Sequence, residues 1–166
     1  MTTMTDARKE LLKASRILPG LYQGPKPPTG PLLRRLGFRL LVLCANEYQP
    51  AAPLFEGVRV IHAPNDDGPS MTQEQEQRVK AAAIEVAKAI RARQRVLVTC
   101  RMGHNRSGLV TAAALHLLTG RSGRTCAAYV QAARPGALRN PYFVGELAKL
   151  PRRAGAAGGE SSRPPA

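Results

Sequence analysis

Cys100 and Arg106 stand six positions apart in the stretch Val96-Leu97-Val98-Thr99-Cys100-Arg101-Met102-Gly103-His104-Asn105-Arg106-Ser107-Gly108. The stretch begins as a short apolar run of strand type and ends in an amphipathic helix, with a loop between them. A loop that runs from a strand into a helix N-terminus aims several backbone N–H groups at one spot, an arrangement that binds phosphate. Arg106 adds a bidentate guanidinium fork for the same anion. A sulfur in that field is favoured as thiolate, because helix N-termini and neighbouring cations stabilise the anion. These residues point to phosphoryl transfer to Cys100.

Cleaving a phosphate ester through cysteine needs more than the loop. An acid must protonate the leaving oxygen, a donor must stabilise the thiolate, and the transition-state charge must be held. Ser107, directly after Arg106, places a hydroxyl where it reaches back toward the sulfur or caps the helix beginning there. The acid belongs on another loop at the same sheet edge, where open α/β sheets bind ligands. Ala63-Pro64-Asn65-Asp66-Asp67-Gly68-Pro69 closes a strand with two aspartates in a turn. Asp67 and Asp66 are therefore the candidate acids, although aspartates also form turns with no further role.

Further elements must carry these loops. Arg39 to Cys44, Val58 to His62 and Val96 to Thr99 read as strands, the first so continuously apolar that both of its faces are expected to be covered. Ser70 or Thr72 can cap a long helix with Glu74 and Glu76 at its start and Arg91, Arg93 and Arg95 at its end. Val79, Ala83, Val86 or Ala87, and Ile90 give that helix its apolar face. Arg106 to Thr119 form a second helix ended by Gly120. Ser122 caps a third that stops before Pro135, and Asn140-Pro141 open a fourth. Upstream, Asp6 to Ser15 read as a short helix and Ile17 to Gly24 as a strand pair broken by Pro19-Gly20. Leu32 to Leu36 read as a short helix ended by Gly37. Strands alternating with helices indicate an α/β fold, a single domain with a largely parallel central sheet flanked by helices. Residues 1–16 read as an extension with a short helix, 17–150 as the catalytic domain and 151–166 as a disordered tail.

The 166 residues carry a net charge of +14, and the charge is uneven. No carboxylate occurs between Glu85 and Glu146, an interval holding Lys88, Arg91, Arg93, Arg95, Arg101, Arg106, Arg121, Arg124, Arg134 and Arg139. A basic flank centred on the loop attracts anionic substrates. It also admits nucleic acid as a partner, but no base-stacking aromatic series or DNA-reading motif supports one. No apolar run approaches the roughly 18 residues of a membrane span, and the N-terminus lacks the apolar core of a signal peptide. Three cysteines, Cys44, Cys100 and Cys126, form no disulfide framework and suit a reducing, cytoplasmic setting. The richness in Ala, Arg, Gly and Pro is a compositional pattern expected of a GC-rich bacterial genome.

Taken together, Cys100, Gly103, Arg106, Ser107, Gly108 and the preceding Val-Leu-Val strand resemble the small dual-specificity phosphatases of the cysteine-dependent protein tyrosine phosphatase superfamily. Leu21-Tyr22-Gln23-Gly24 is similar to a strand near that family's N-terminus. Arg134-Pro135 with Asn140 and Phe143 is similar to its closing helices, so the likeness spans roughly residues 17–150. The resemblance implies that Cys100 is the nucleophile forming a phosphocysteine intermediate. Arg106 and the amides from Arg101 through Met102, Gly103, His104 and Asn105 would hold the phosphate, and Ser107 would stabilise the departing thiolate. It favours Asp67 as general acid through Pro64-Asn65-Asp66-Asp67, and it implies neither cofactor nor metal. Substrates would be phosphorylated proteins, carrying phosphotyrosine and also phosphoserine or phosphothreonine. The alternatives are an RNA 5′-triphosphatase, a phosphoinositide phosphatase and, in another class, a phosphate-binding module with little turnover.

One departure from the family stands out. Thr99 occupies the place where the family usually has a histidine that orders the loop, and its hydroxyl is expected to supply part of that hydrogen bonding. His104, protonated near neutral pH, would add to a positive pocket. Cys126 reads as a core residue. Leu43-Cys44-Ala45 resembles a segment in which some members keep a cysteine that pairs with the nucleophile as a protective disulfide, the alternative being a plain buried cysteine.

Overall fold

A computed structural model describes residues 12–154. Its strands are β1 (Ser15–Leu18), β2 (Leu21–Gly24), β3 (Phe38–Ala45), β4 (Arg59–Asn65) and β5 (Arg95–Thr99), in the sheet order β1-β2-β5-β3-β4. β1 and β2 form an antiparallel hairpin around Pro19-Gly20, and the other neighbours are parallel. The helices are α1 (Leu32–Arg35), α2 (Gln73–Arg91), α3 (Arg106–Thr119), α4 (Gly123–Ala133) and α5 (Pro141–Ala148).

The parallel order puts β5 at the centre, between β2 and β3, so the loop after Thr99 opens in the middle of the sheet's carboxyl edge. Alternation along β3 and β5 divides the core. Leu40, Val42, Val96 and Val98 face α2, α3, α4 and α5 and pack with Val86, Leu109, Leu115, Val130 and Phe143. Leu41, Leu43 and Leu97 face the other way and pack with Leu33, Leu36, Phe38 and Phe55, where Tyr22 meets Phe38 edge to face at 5.5 Å. Leu97 is fully buried in this smaller layer, and truncating such a leucine to alanine costs about 2–5 kcal/mol.

Helix boundaries follow their signals. Thr72, rather than Ser70, caps α2. Its Oγ1 accepts from the Gln75 backbone amide at 3.1 Å, and the Gln75 side-chain Oε1 accepts from the Thr72 backbone amide at 2.9 Å. Such a cap is worth about 1 kcal/mol. Ser122 and Asn140 cap α4 and α5, and Gly120 ends α3 in the left-handed conformation at φ 71°. α3 is buried along most of its length because α2, α4 and α5 surround it on the sheet.

Several boundaries differ from expectation; α2 stops at Arg91, so that Arg93 lies beyond it at φ 60° and Arg95 opens β5. The helix expected over Asp6 to Ser15 lies outside the described residues up to position 11. Its far end is corrected, because Lys13 takes φ 50° and Ser15 already pairs with Gln23 in β1. The boundary at residue 16 therefore falls inside a strand. β4 extends past His62 through Pro64 to Asn65, and as the edge strand it accommodates a proline without breaking an inner ladder. A single 3-10 turn at Ala52–Leu54 was not anticipated. Of the tail, residues 155–166 lie outside the described residues. Among the described residues no helix is long and apolar enough to cross a membrane.

Candidate active site

The loop at residues 100–105 is shaped by close approach to β2. Gly103 has φ 72°, and a Cβ there would stand 2.3 Å from the carbonyl carbon of Gly24, so only glycine lets the two backbones meet. Two side chains from distant elements then hold the loop's carbonyls outward. Gln23 donates through Nε2 to Gly103 O at 3.0 Å and to His104 O at 3.4 Å. Arg134 donates through Nε to Gly103 O at 2.7 Å and through Nη2 to Met102 O at 3.2 Å. With the carbonyls turned away, the backbone N–H groups of residues 101–106 have no acceptor among the described residues, which suits a phosphate cradle. Thr99 plays a different part from the one expected of it. Its buried hydroxyl donates to Val42 O at 2.9 Å, stitching β5 to β3 rather than bracing the loop.

Cys100 sits at the pocket floor, 4% exposed, with Sγ 3.2 Å from the Oγ of the fully buried Ser107. Arg106 is buried beside it. Its Nη1 and Nη2 each donate to one carboxylate oxygen of Glu47, both at 2.6 Å, and Nη1 also donates to Asn65 O at 3.1 Å. This pairing holds the Glu47 carboxyl down to about 2, through the hydrogen bonds from Arg106 before any other cause. The Arg106 Nε is buried without a partner among the described residues. Glu47 thus fixes the far edge of the guanidinium and leaves the Nε–Nη2 edge available, a parallel pair of donors matched to two phosphate oxygens.

Asp67 reaches the same pocket from the turn after β4. Asn105 donates to its Oδ2 at 2.9 Å and Asn140 to its Oδ1 at 2.7 Å, so the aspartate loop, the cysteine loop and the start of α5 are joined at one carboxylate. Asn105 is itself held, because its Oδ1 accepts from the amides of Arg139 at 2.8 Å and Asn140 at 3.1 Å. Asp66 points elsewhere, accepting from Asn46 and, at 3.5 Å, from Gln75. The resulting cavity of about 360 Å³ is lined by Cys100, Arg101, Met102, His104, Asn105 and Arg106, with Glu47 and Asp67 from outside the loop.

The remaining expectations separate. Burial, and then Arg134 and Arg139, lower the proton affinity of His104, which works against the positive charge expected of it. Cys44 follows Leu43, which pairs with Thr99, so Cys44 and Cys100 continue neighbouring strands. Burial first, and then Cys100, push the Cys44 thiol up. Part of the basic interval is structural: Arg91 donates to Leu117 O, Arg95 to Leu36 O, and Arg134 braces the loop. Among the described residues no cluster of three His, Cys, Asp or Glu side chains could hold a metal. Sequence reasoning missed Glu47, Gln23, Asn140 as an acid partner and the bracing by Arg134. Gln23, a polar residue in an otherwise apolar strand pair, was the available signal.

Residues 21–153 match the family described as the dual specificity phosphatase, catalytic domain. The chain belongs to this family. A mouse dual specificity phosphatase complexed with zinc tungstate is 29% identical, with a TM-score of 0.70 over 82% of this chain and 84% of that one. Human DUSP28 is also 29% identical, with a TM-score of 0.69 over 81% and 93%. Tk-PTP in its active form is 26% identical, with a TM-score of 0.66 over 82% and 96%. No match was found among the curated proteins. The dual specificity phosphatase domain accounts for the single α/β unit with its mostly parallel five-stranded sheet and for a general phosphatase activity.

Proposed function

We propose that this domain is a cysteine-dependent phosphatase that hydrolyses phosphotyrosine, and also phosphoserine and phosphothreonine, in protein substrates. The observation that carries the reading is the convergence on one pocket of Cys100 against Ser107, the Glu47-braced fork of Arg106, and Asp67. In the first step the Cys100 thiolate attacks phosphorus, the ester P–O bond breaks, and the Asp67 carboxyl gives its proton to the leaving oxygen. The Nε–Nη2 edge of Arg106 and the loop amides take up the charge on the equatorial oxygens. In the second step Asp67, now a carboxylate, removes a proton from water, which attacks the phosphocysteine. Inorganic phosphate leaves, and the returning thiolate is stabilised by the Ser107 hydroxyl. Asn105 and Asn140 act as positioning residues through Asp67.

Hydrolysis of an aryl phosphate by wild type, Cys100→Ser and Asp67→Ala tests this. Wild-type turnover with none in Cys100→Ser is expected. Turnover that survives Cys100→Ser defeats the reading, and an absence of wild-type turnover favours a phosphate-binding module.

A further inference from the structure

A second cavity, of about 520 Å³, adjoins the catalytic pocket and shares Arg101, Met102 and His104 with it. Its character differs. Glu47 and Asp67 line the catalytic pocket, whereas among the described residues no carboxylate lines the second cavity, which Lys13, Lys26 and Arg134 complete. Lys13, Lys26 and Arg101 are exposed, and their side chains make no hydrogen bond or salt bridge among the described residues. Lys26 lies over the Tyr48 ring at 5.4 Å, a contact that leaves its ammonium donors available.

These cations are anchored by their backbones to the loop that carries Cys100. Arg134 donates through Nη1 to Lys13 O at 2.9 Å and to Ser15 Oγ at 3.0 Å, while its other nitrogens hold Met102 and Gly103. The Lys26 amide donates to Arg101 O at 3.4 Å. A buried arginine thus ties the chain segments that form the groove, so the spacing between its charges and the reacting sulfur is built in. Between the cations the lining is apolar, with Leu12, Pro25, Pro28 and a Met102 that is 61% exposed.

We propose that this groove is a docking subsite for acidic side chains that flank the phosphorylated residue of a peptide substrate. The proposal rests on the phosphatase reading of the adjoining pocket and names its substrate class. The mixed lining favours a peptide. Spaced carboxylates pair with Lys13, Lys26 and Arg101, and the intervening aliphatic atoms cover Met102 and the prolines. A polyphosphate would press charge against that apolar surface and pay for its desolvation.

The test compares phosphotyrosine peptides of equal length whose flanking residues are aspartate or asparagine. For wild type, kcat/KM is expected to be about tenfold higher for the aspartate peptide at low salt. The preference should vanish in roughly 1 M salt, where the Debye length is about 3 Å. In Lys13→Glu/Lys26→Glu the preference should be abolished while aryl phosphate turnover is unchanged. The same ranking read as Kd on Cys100→Ser protein does not need turnover. Acidic-peptide preference in Kd without wild-type catalysis would leave the groove standing and sink the catalytic reading. Catalysis with no acidic preference, or a preference indifferent to the two lysine changes, overturns the groove. So does a lysine dependence seen only with phosphoinositide vesicles or 5′-triphosphate RNA.

Discussion

Glu47 receives both terminal nitrogens of Arg106, each at 2.6 Å, and so decides which edge of the guanidinium can meet a phosphate. Without that carboxylate the buried arginine keeps only the bonds from Nη1 to Asn65 O and Asn46 Oδ1 among the described residues, and Nη2 is left unheld. Glu47→Gln is expected to lower kcat/KM for aryl phosphate by about tenfold or more, chiefly by weakening phosphate binding. The pH dependence has a definite sign. The folded carboxyl is depressed to about 2 from 4.5, so its contribution to stability is full above the unfolded value and is lost as pH falls through about 2. The difference in melting temperature between wild type and Glu47→Gln should be constant at higher pH and shrink between about pH 4.5 and 2. A gap that widens with acid would rule out this role for the pair.

Asp67, rather than Asp66, faces Cys100, and two asparagines orient it. Asp67→Ala should lower kcat on an alkyl phosphate by about 100-fold or more, and on p-nitrophenyl phosphate much less, because nitrophenolate needs little protonation to leave. Asn105→Ala should show the same dependence on leaving group in weaker form. Asp66→Ala should show none. A larger loss in Asp66→Ala than in Asp67→Ala would overturn the assignment.

The legible part of the site was the part carried by local pattern. An apolar run changing to helical periodicity marks Cys100 just after β5 and Arg106 and Ser107 at the start of α3, and the turn after a second strand draws attention to Asp66 and Asp67. Choosing between those two needed the structure, since neighbours in a turn can face opposite ways. Glu47 was illegible for another reason. Nothing in Asn46-Glu47-Tyr48-Gln49-Pro50 marks a partner for Arg106, and it is the parallel pairing of β3 with β5 that brings the two together. The contacts of Gln23 and Arg134 with the loop likewise join residues far apart in the chain. Position 99 was read by analogy with a loop-bracing histidine, whereas the threonine hydroxyl has a carbonyl of β3 within reach.

Gly103 provides a test of the loop's shape. Gly103→Ala sets a methyl group against the Gly24 carbonyl and requires an unfavourable positive φ. Loop displacement should lower kcat/KM by about 100-fold, because small misplacements of a catalytic constellation carry costs of that order. Near-wild-type activity would show that contact with β2 does not set the geometry.

Cys44 and Cys100 continue adjacent parallel strands, whose spacing of about 4.8 Å falls within the Cα separations a disulfide accepts. Hydrogen peroxide would convert the Cys100 thiolate to sulfenic acid. Attack by the Cys44 sulfur would then form the S–S bond and release water. The raised proton affinity of Cys44 makes that second step slow near neutral pH and faster as pH rises. Wild type inactivated by peroxide should recover with dithiothreitol, and Cys44→Ser should recover far less. Equal recovery in both would leave Cys44 as a plain core cysteine.

The central claim is that phosphorus is bonded to Cys100 during turnover. Rapid acid quench of Asp67→Ala protein mixed with an aryl phosphate, followed by peptide mass analysis, measures this directly. The expected result is one added phosphoryl group on the peptide containing Cys100, absent in Asp67→Ala/Cys100→Ser. Burst release of phenol with no phosphorylated Cys100 peptide at any quench time would contradict the account.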